Sequence, residues 1–195
     1  MPQKTSGDIE PLDDMLPDCF RLGTTTIHAT ALPCGLSRHE KRDAEIRAVA
    51  MLIRKAFGEK ETLSHLPSGA PYIAGSGKQI SITHGAGYAL LAINDSRPIG
   101  IDIESPRPTL KRISGRFLGR SEVQTHNASS STLLDAWTAK EAIFKALGMP
   151  GLTITDIILP DDLIRQPFTT HGKTVEIHFL RLPEFTIALA ETHKN

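Results

Sequence analysis

A strict two-residue alternation constrains the fold more than any other feature of this sequence. Isoleucine alternates with glycine or an acid over Ile99–Glu104. Successive side chains of a β-strand point to opposite faces, so one face here is apolar and the other carries two carboxylates. A short alternating segment, Ile80–Ile82, and a continuous apolar stretch, Tyr88–Ile93, precede this segment, and short glycine or polar turns separate the three. The pattern predicts a meander of antiparallel strands.

Two long helical patterns interrupt the strands. The first begins with Ser37-Arg-His-Glu40, which has the spacing of a capping box, and ends at Gly58. The second runs from about Leu133 to Leu147 and ends at Gly148, after a polar run at 125–132 that predicts a loop. Further strand patterns lie at 24–32, 174–179 and 185–190. Antiparallel sheets covered by helices predict an α+β fold.

The order strand, helix, strands occurs twice, with a seam near residue 96. We therefore expect two similar halves, 19–96 and 97–195, each a long helix packed on a small antiparallel sheet. Residues 1–18 contain five acids and three prolines. They predict a flexible acidic leader outside the core.

Composition excludes several classes of function. Lys+Arg and Asp+Glu both number 22 in 195 residues, so bulk charge does not favour binding to nucleic acid or to a membrane surface. No segment reaches the roughly 18–20 apolar residues of a membrane span. The two cysteines, Cys19 and Cys34, are too few for a disulfide scaffold, which predicts a reduced cytoplasmic protein.

The acidic strand face carries the first candidate for chemistry. Asp102 and Glu104 are two residues apart on one face, so their Cα atoms lie about 6–7 Å apart. Their like charges repel, and a divalent cation with a preference for oxygen ligands, such as Mg²⁺, would relieve the repulsion. A solvent-facing strand is the alternative interpretation.

The second helix carries the other candidate. Glu141 and Lys145 are i,i+4 neighbours that can act on one ligand, although an exposed salt bridge is the alternative. Lys140 falls on the same stripe as Trp137 and Phe144. A lysine in that position must extend to solvent or meet an anion.

Other patterns narrow the possibilities. His84 stands at the end of a predicted strand, where a structural or exposed histidine is the alternative reading. The histidines form no HExxH-like pattern, so no zinc site is predicted. The sequence also lacks a phosphate-binding P-loop and a G-x-S-x-G elbow. The segment Arg107–Arg120 contains five basic residues and no acid, which indicates an anionic partner.

Together these residues resemble the 4′-phosphopantetheinyl transferases. Ile99–Glu104 followed by Trp137–Lys145 resembles the two-part signature G-[IV]-D-x-E and [WF]-[STC]-x-K-E-[AS]-x-x-K. Ser81–Gly85 resembles the family strand end N-I-S-H-S, and Gly69–Pro71 resembles G-K-P, with Ala70 in place of lysine. The length and the two halves are similar to the surfactin-synthetase type, a monomeric protein with a pseudo-twofold fold.

The resemblance implies transfer of the 4′-phosphopantetheine arm of coenzyme A to a serine of an apo acyl or peptidyl carrier protein, with release of adenosine 3′,5′-bisphosphate. It implies Mg²⁺, or Mn²⁺, bound by Asp102, Glu104 and Glu141. Glu141 is then the expected base, and Asp102 and Lys145 are expected to be catalytic as well.

The resemblance also implies a coenzyme A site made by Arg47, Thr83 and His84 at the 3′-phosphate, with contributions from Lys140 and Lys145. An acidic carrier protein is expected to dock near Arg107–Arg120. Two other functions stay open at this point. One is a non-catalytic module that binds coenzyme A or a carrier protein, and the other is a different magnesium-dependent phosphoryl or nucleotidyl enzyme.

Overall fold

A computed structural model describes residues 15–123, 130–163 and 167–193 of the chain. The strands are β1 (Cys19–Leu22), β2 (Thr25–Ala31), β3 (Leu63–His65), β4 (Pro71–Ile73), β5 (Gln79–Gly85), β6 (Tyr88–Asn94), β7 (Ile99–Glu104), β8 (Phe168–Thr170), β9 (Lys173–Arg181) and β10 (Thr186–Thr192). The helices are α1 (Arg38–Phe57), α2 (Thr109–Ile113) and α3 (Ser130–Leu147).

Two four-stranded antiparallel sheets organise the molecule. Their strand orders are β1-β2-β6-β5 and β7-β10-β9-β8, and β3 and β4 form a separate hairpin. The predicted α+β class and antiparallel pairing are confirmed. In each sheet the strand before the long helix pairs with the last strand of that half, giving β2-β6-β5 and β7-β10-β9. The two sheets thus share the same connectivity around their helices.

The helix ends follow from local chemistry. Ser37 Oγ accepts a hydrogen bond from the Glu40 amide at 3.4 Å, and the Glu40 carboxylate accepts one from the Ser37 amide at 2.9 Å, which confirms the capping box. The predicted start of the second helix at Leu133 is wrong by one turn, since α3 begins at Ser130. Its first residues are polar and carry no apolar stripe. The remainder of the predicted loop, 124–129, lies outside the described residues.

The apolar core has three parts. One lies between α3 and its sheet, one lies under α1, and the third lies between the two sheets. The exclusion of residues 1–18 from the core is wrong at Leu16, which is 6% exposed and belongs to the part between the sheets. Residues 1–14 lie outside the described residues.

An interface between two sheet edges positions the site. β5 is the last strand of one sheet, β7 is the first of the other, and the two pack against each other. The Ile101 amide donates a hydrogen bond to Ser81 Oγ at 3.0 Å across this interface. At Gly85 a Cβ atom would lie 2.5 Å from the carbonyl oxygen of Ile103. Within the described ranges, no helix combines the length and apolar character needed to cross a bilayer.

Candidate active site

β7 and α3 approach each other closely because Gly100 has no side chain. A Cβ atom at this position would lie 2.0 Å from the carbonyl oxygen of Ala142 and 2.8 Å from the Cβ of Lys145. Both distances are far shorter than a normal contact. The glycine of the strand motif therefore lets the helix bring Glu141 and Lys145 beside Asp102.

Asp102 is a buried carboxylate with two unlike oxygens. The residue is 7% exposed, and its Oδ1 accepts hydrogen bonds from Thr83 Oγ1 at 3.0 Å and Lys145 Nζ at 2.8 Å. Its Oδ2 is buried and has no hydrogen-bond partner among the described residues. Leaving a buried carboxylate oxygen unpaired is unfavourable unless a ligand satisfies it. Oδ2 is therefore a suitable position for a cation.

Lys145 is fixed on the strand it faces. Its ammonium donates to the Asp102 carboxylate and to the carbonyl oxygen of Ile101 at 2.9 Å, while the side chain stays partly exposed. The structure thus brings together Asp102 and Lys145, two of the residues that the resemblance implies are catalytic. The third proton of the ammonium is available to a ligand.

Glu104 and Glu141, together with Asp102, form the acidic group of the site. Glu104 Oε1 accepts from Trp137 Nε1 at 2.8 Å and from Arg107 at 3.3 Å. Burial, followed by the charge of Asp102, raises the pKa of Glu141 above its ordinary value, Glu104 adds to the rise, and Lys145 opposes it. The three predicted carboxylates thus interact electrostatically.

These carboxylates do not form a closed cage. Among the described residues, the one group whose donor atoms all lie within 4.8 Å of one another is elsewhere in the molecule. A cation at the unpaired Asp102 oxygen would therefore draw the other two carboxylates inward or reach them through water. Mg²⁺ commonly keeps several water ligands, so this spacing fits it.

A cleft opens beside Asp102 and Lys145. Its volume is about 970 Å³, and it lies between α1, the segment 59–71 and the end of β5. One wall is apolar and includes Ile46, Val49 and Ile53, and the cleft also holds Arg42, Arg54 and His84. Ligand sites typically combine a concave apolar wall with a few polar groups in this way.

Comparison with known proteins found a match to the part of the chain that contains the candidate site. Residues 98–190 match the family model of the 4′-phosphopantetheinyl transferase superfamily, described as ACPS. Over these residues, slightly less than half of the chain, the sequence is similar to this superfamily. The matched segment contains β7 and α3, and therefore the carboxylates and the lysine described above.

Two relatives bear transferase names. The chain is 35% identical over 82 residues to the 4′-phosphopantetheinyl transferase HetI of Nostoc sp., covering 38% of this chain and 35% of the relative. It is 26% identical over 106 residues to slr0495 of Synechocystis sp., provisionally named a 4′-phosphopantetheinyl transferase, covering 49% of this chain and 43% of the relative. The similarity spans less than half the length of either relative.

The structure brings together only some of the residues that are expected to bind coenzyme A. His84 lines the cleft, and its Nδ1 lies 3.3 Å from Glu45 Oε1. Thr83 also lines the cleft, but its hydroxyl is bound to Asp102, so it orients a carboxylate in addition to facing the ligand space.

Arg47 is not positioned as expected. It is exposed on α1 and does not line the cleft, whereas Arg42 and Arg54 do. The cleft-facing positions of α1 recur at i, i+3 and i+4 from Arg42 through Glu45 to Val49, and Arg47 falls outside that stripe. The same spacing is the sequence signal that could have identified Glu45, which the sequence analysis missed.

Lys140 also lies away from the cleft. Its side chain is 0% exposed, and Nζ donates to the carbonyl oxygen of Phe117 and to Glu122 Oε2, each at 2.7 Å. Burial lowers the pKa of this ammonium, and Glu122 opposes the effect. Of the two alternatives predicted for Lys140, extending to solvent or meeting an anion, the structure shows the second. The prediction that Lys140 contacts coenzyme A is wrong in this structure, because its side chain is buried against Glu122.

Glu122 is a structural residue that the sequence did not reveal. It is 2% exposed, and besides Lys140 it accepts hydrogen bonds from the amides of Gly119 at 2.6 Å and Leu159 at 2.9 Å. It lies in a polar run, 119–122, whose composition is typical of a solvated loop. Only the fold shows that its carboxylate joins three segments around α3.

Proposed function

We propose that this protein transfers the 4′-phosphopantetheine arm of coenzyme A to a serine of an apo acyl or peptidyl carrier protein, in a Mg²⁺-dependent reaction. The observation that carries the proposal is the unpaired, buried Asp102 oxygen beside Lys145, at a cleft of about 970 Å³. The superfamily match over residues 98–190 supports the class of reaction.

The metal site in this proposal consists of Asp102, Glu104 and Glu141. Oxygen ligands suit Mg²⁺, with Mn²⁺ as a substitute. The ion, when bound, neutralises charge on the pyrophosphate of coenzyme A. The raised pKa of Glu141 supports this assignment, since it reflects the burial and carboxylate repulsion that a cation would relieve.

In this proposal the transfer uses one base, which accepts the serine proton, and one cationic side chain, which stabilises the leaving group. The serine Oγ of the carrier protein attacks the phosphorus that bears the pantetheine arm and forms a new P–O bond. The bond between that phosphorus and the bridging oxygen of the pyrophosphate breaks, and this oxygen leaves with the second phosphate. Glu141 accepts the serine proton, directly or through water. Adenosine 3′,5′-bisphosphate departs with the additional negative charge, which Lys145 stabilises.

The remainder of the cleft holds coenzyme A. We assign the 3′-phosphate to His84 and Arg42, because Arg42 faces the cleft and Arg47 does not. Glu45 contacts Nδ1 of His84, which leaves Nε2 for the ligand. The apolar wall of α1 provides a surface for the adenine ring.

The carrier protein docks on the segment Arg107–Arg120 in this proposal. All five basic residues of this segment are exposed, whereas Leu110 and Phe117 anchor it in the core. An acidic partner helix would complement this charge. The double charge reversal Arg112→Glu and Arg116→Glu should raise KM for the carrier protein and leave KM for coenzyme A unchanged. Unchanged carrier kinetics would reject this docking surface.

Intact-protein mass spectrometry tests the transferase proposal. An apo carrier protein incubated with the protein, coenzyme A and Mg²⁺ should gain the mass of one phosphopantetheine group. EDTA and Glu141→Gln should each abolish the gain, while Glu184→Gln, an exposed glutamate in the β9–β10 turn, should preserve it. Tight coenzyme A binding without a mass gain on several unrelated carriers would instead favour a non-catalytic binding module.

The two halves, 19–96 and 97–195, are also proposed to be related by a pseudo-twofold axis. The shared connectivity β2-β6-β5 and β7-β10-β9 supports this relation. A monomer in the cytoplasm, where the two free and exposed cysteines would stay reduced, belongs to the same proposal. Light scattering at the mass of one chain, 21.3 kDa, would test the monomer.

A further inference from the structure

A second group of metal-ligating side chains lies at the far end of the second sheet. Glu176 and His178 are on β9 and Glu191 is on β10, and one donor atom from each lies within 4.8 Å of the other two. Glu176 is the cross-strand partner of Glu191, and His178 follows two residues later on the same face. Mixed imidazole and carboxylate donors are typical of sites for zinc and similar divalent ions.

Two imidazole nitrogens at this group, one from His178 and one from the neighbouring His193, have no hydrogen-bond partner among the described residues. Nε2 of His178 is buried without a hydrogen-bond partner, although it lies 3.7 Å from Glu176 Oε1 and 3.9 Å from Glu191 Oε2. Nε2 of His193 is also buried and unpartnered, 3.5 Å from Glu176 Oε2. Two ligands of a tetrahedral ion with bonds of about 2.0–2.2 Å lie about 3.3–3.6 Å apart. The donors are thus slightly too far apart to bond each other and close to the spacing that a shared ion imposes.

A glycine keeps space beside these donors. Gly23, in the turn between β1 and β2, has a φ of +57°, and a Cβ atom there would lie 2.5 Å from His178 Nε2 and 3.0 Å from Glu191 Oε1. Any other residue would fill this space with a side chain. The turn belongs to the first sheet, so the group lies where the two sheets meet.

The local charge favours a cation. Arg97 Nη1 lies 3.2 Å from Glu191 and 3.8 Å from Glu176, so this guanidinium neutralises one of the two carboxylates. The two carboxylates therefore keep one negative charge between them. Glu191 is held in place by hydrogen bonds from the Thr24 amide at 2.9 Å and Thr25 Oγ1 at 2.7 Å.

We propose that Glu176, His178 and Glu191 bind one zinc-type divalent cation, with His193 as a further donor. The site is separate from the acidic group at the cleft. Ala188 is the cross-strand partner of Asp102, and Glu191 lies three residues further along β10, about 10 Å away. The sequence predicted no zinc site because these donors are brought together by strand pairing and not by a short motif.

Cobalt binding provides the test, since tetrahedral Co²⁺ absorbs strongly in the visible range. The full chain carrying Asp102→Asn, which weakens the other acidic group, is titrated with Co²⁺ and then with Zn²⁺. We expect one saturable Co²⁺ per chain, an intense visible band, displacement by Zn²⁺ and a higher melting temperature with either ion. No saturable binding at millimolar Co²⁺ would overturn the proposal.

Matched variants assign the ligands. His178→Gln should weaken binding at least tenfold, whereas His39→Gln, at an exposed position on α1, should leave it unchanged. Glu176→Gln repeats the test at a partly exposed position, in case removal of the His178 ring disturbs folding. Binding that is equal in the parent, His178→Gln and Glu176→Gln proteins would place the ion elsewhere and reject this site.

Discussion

Gly100→Ala should test whether the contact between β7 and α3 creates the site. The added Cβ would lie 2.0 Å from the carbonyl oxygen of Ala142, whereas real Cβ contacts stay beyond 3.0 Å. The strand and the helix must therefore separate by at least about 1 Å. A shift of that size would lengthen the 2.8 Å contact between Lys145 and Asp102 beyond hydrogen-bonding distance.

The expected magnitudes follow from this displacement. Overpacking typically lowers the free energy of unfolding by about 1–3 kcal/mol, and a backbone obstacle that cannot rotate away favours the upper end, or about 6–12 °C in melting temperature. A misplacement of about 1 Å can lower a catalytic rate about 100-fold. Differential scanning calorimetry and the mass-spectrometric transfer assay measure the two effects.

Gly115→Ala is the matched control for this variant. No atom lies within 4 Å of the Cβ position at Gly115, so the substitution adds a methyl group to open space. Gly115 lies in the segment proposed to dock the carrier protein, so transfer by the two variants is compared at saturating carrier protein. Both variants reduce the conformational freedom of the unfolded chain in the same way, and their difference isolates the steric clash. Equal melting temperatures and equal transfer rates for Gly100→Ala and Gly115→Ala would refute the reasoning.

Three further outcomes test other contacts. Glu122→Gln should lower the free energy of unfolding, measured by urea denaturation, by about 3–5 kcal/mol, because it leaves the Lys140 ammonium buried without its carboxylate. Adding Lys140→Met should restore much of the loss, and a fully stable single variant would contradict this account. Trp137→Phe removes the hydrogen bond to Glu104 and should raise the Mg²⁺ concentration needed for half-maximal transfer by about 10–100-fold, with KM for coenzyme A unchanged. An identical Mg²⁺ titration would show that this bond does not orient the carboxylate. Ser37→Ala should reduce stability by about 1 kcal/mol, which thermal denaturation can measure, and an unaltered transition would mean that the cap contributes nothing.

Local sequence patterns predicted most of the secondary structure. The capping box at Ser37 and the alternation over Ile99–Glu104 each depend on neighbours within a few residues, and both are confirmed. The start of α3 was predicted too late because its first turn is polar. Leu16 was placed in the acidic leader by composition, whereas its burial depends on contacts with distant strands.

The candidate site was predictable to a similar extent. The motifs that carry Asp102 and Lys145 could be identified from the sequence, and the structure adds that the two side chains lie 2.8 Å apart. The partner of Lys140 could not be identified, since the acid lies 18 residues away in a polar run. The choice between Arg42 and Arg47 depends on how α1 is rotated against its sheet, and the amphipathic pattern of that helix is too weak to fix this rotation.

The contact between β5 and β7 has a consequence for how this chain folds. Each is an edge strand of its own sheet, and exposed edges invite pairing with other chains. Here the two edges cover each other, and Thr83 on one strand binds Asp102 on the other. Either half expressed alone would therefore expose an unpaired edge and be prone to aggregate. Thr83 can meet Asp102 only after both sheets have formed and docked, so the complete site is a late product of folding.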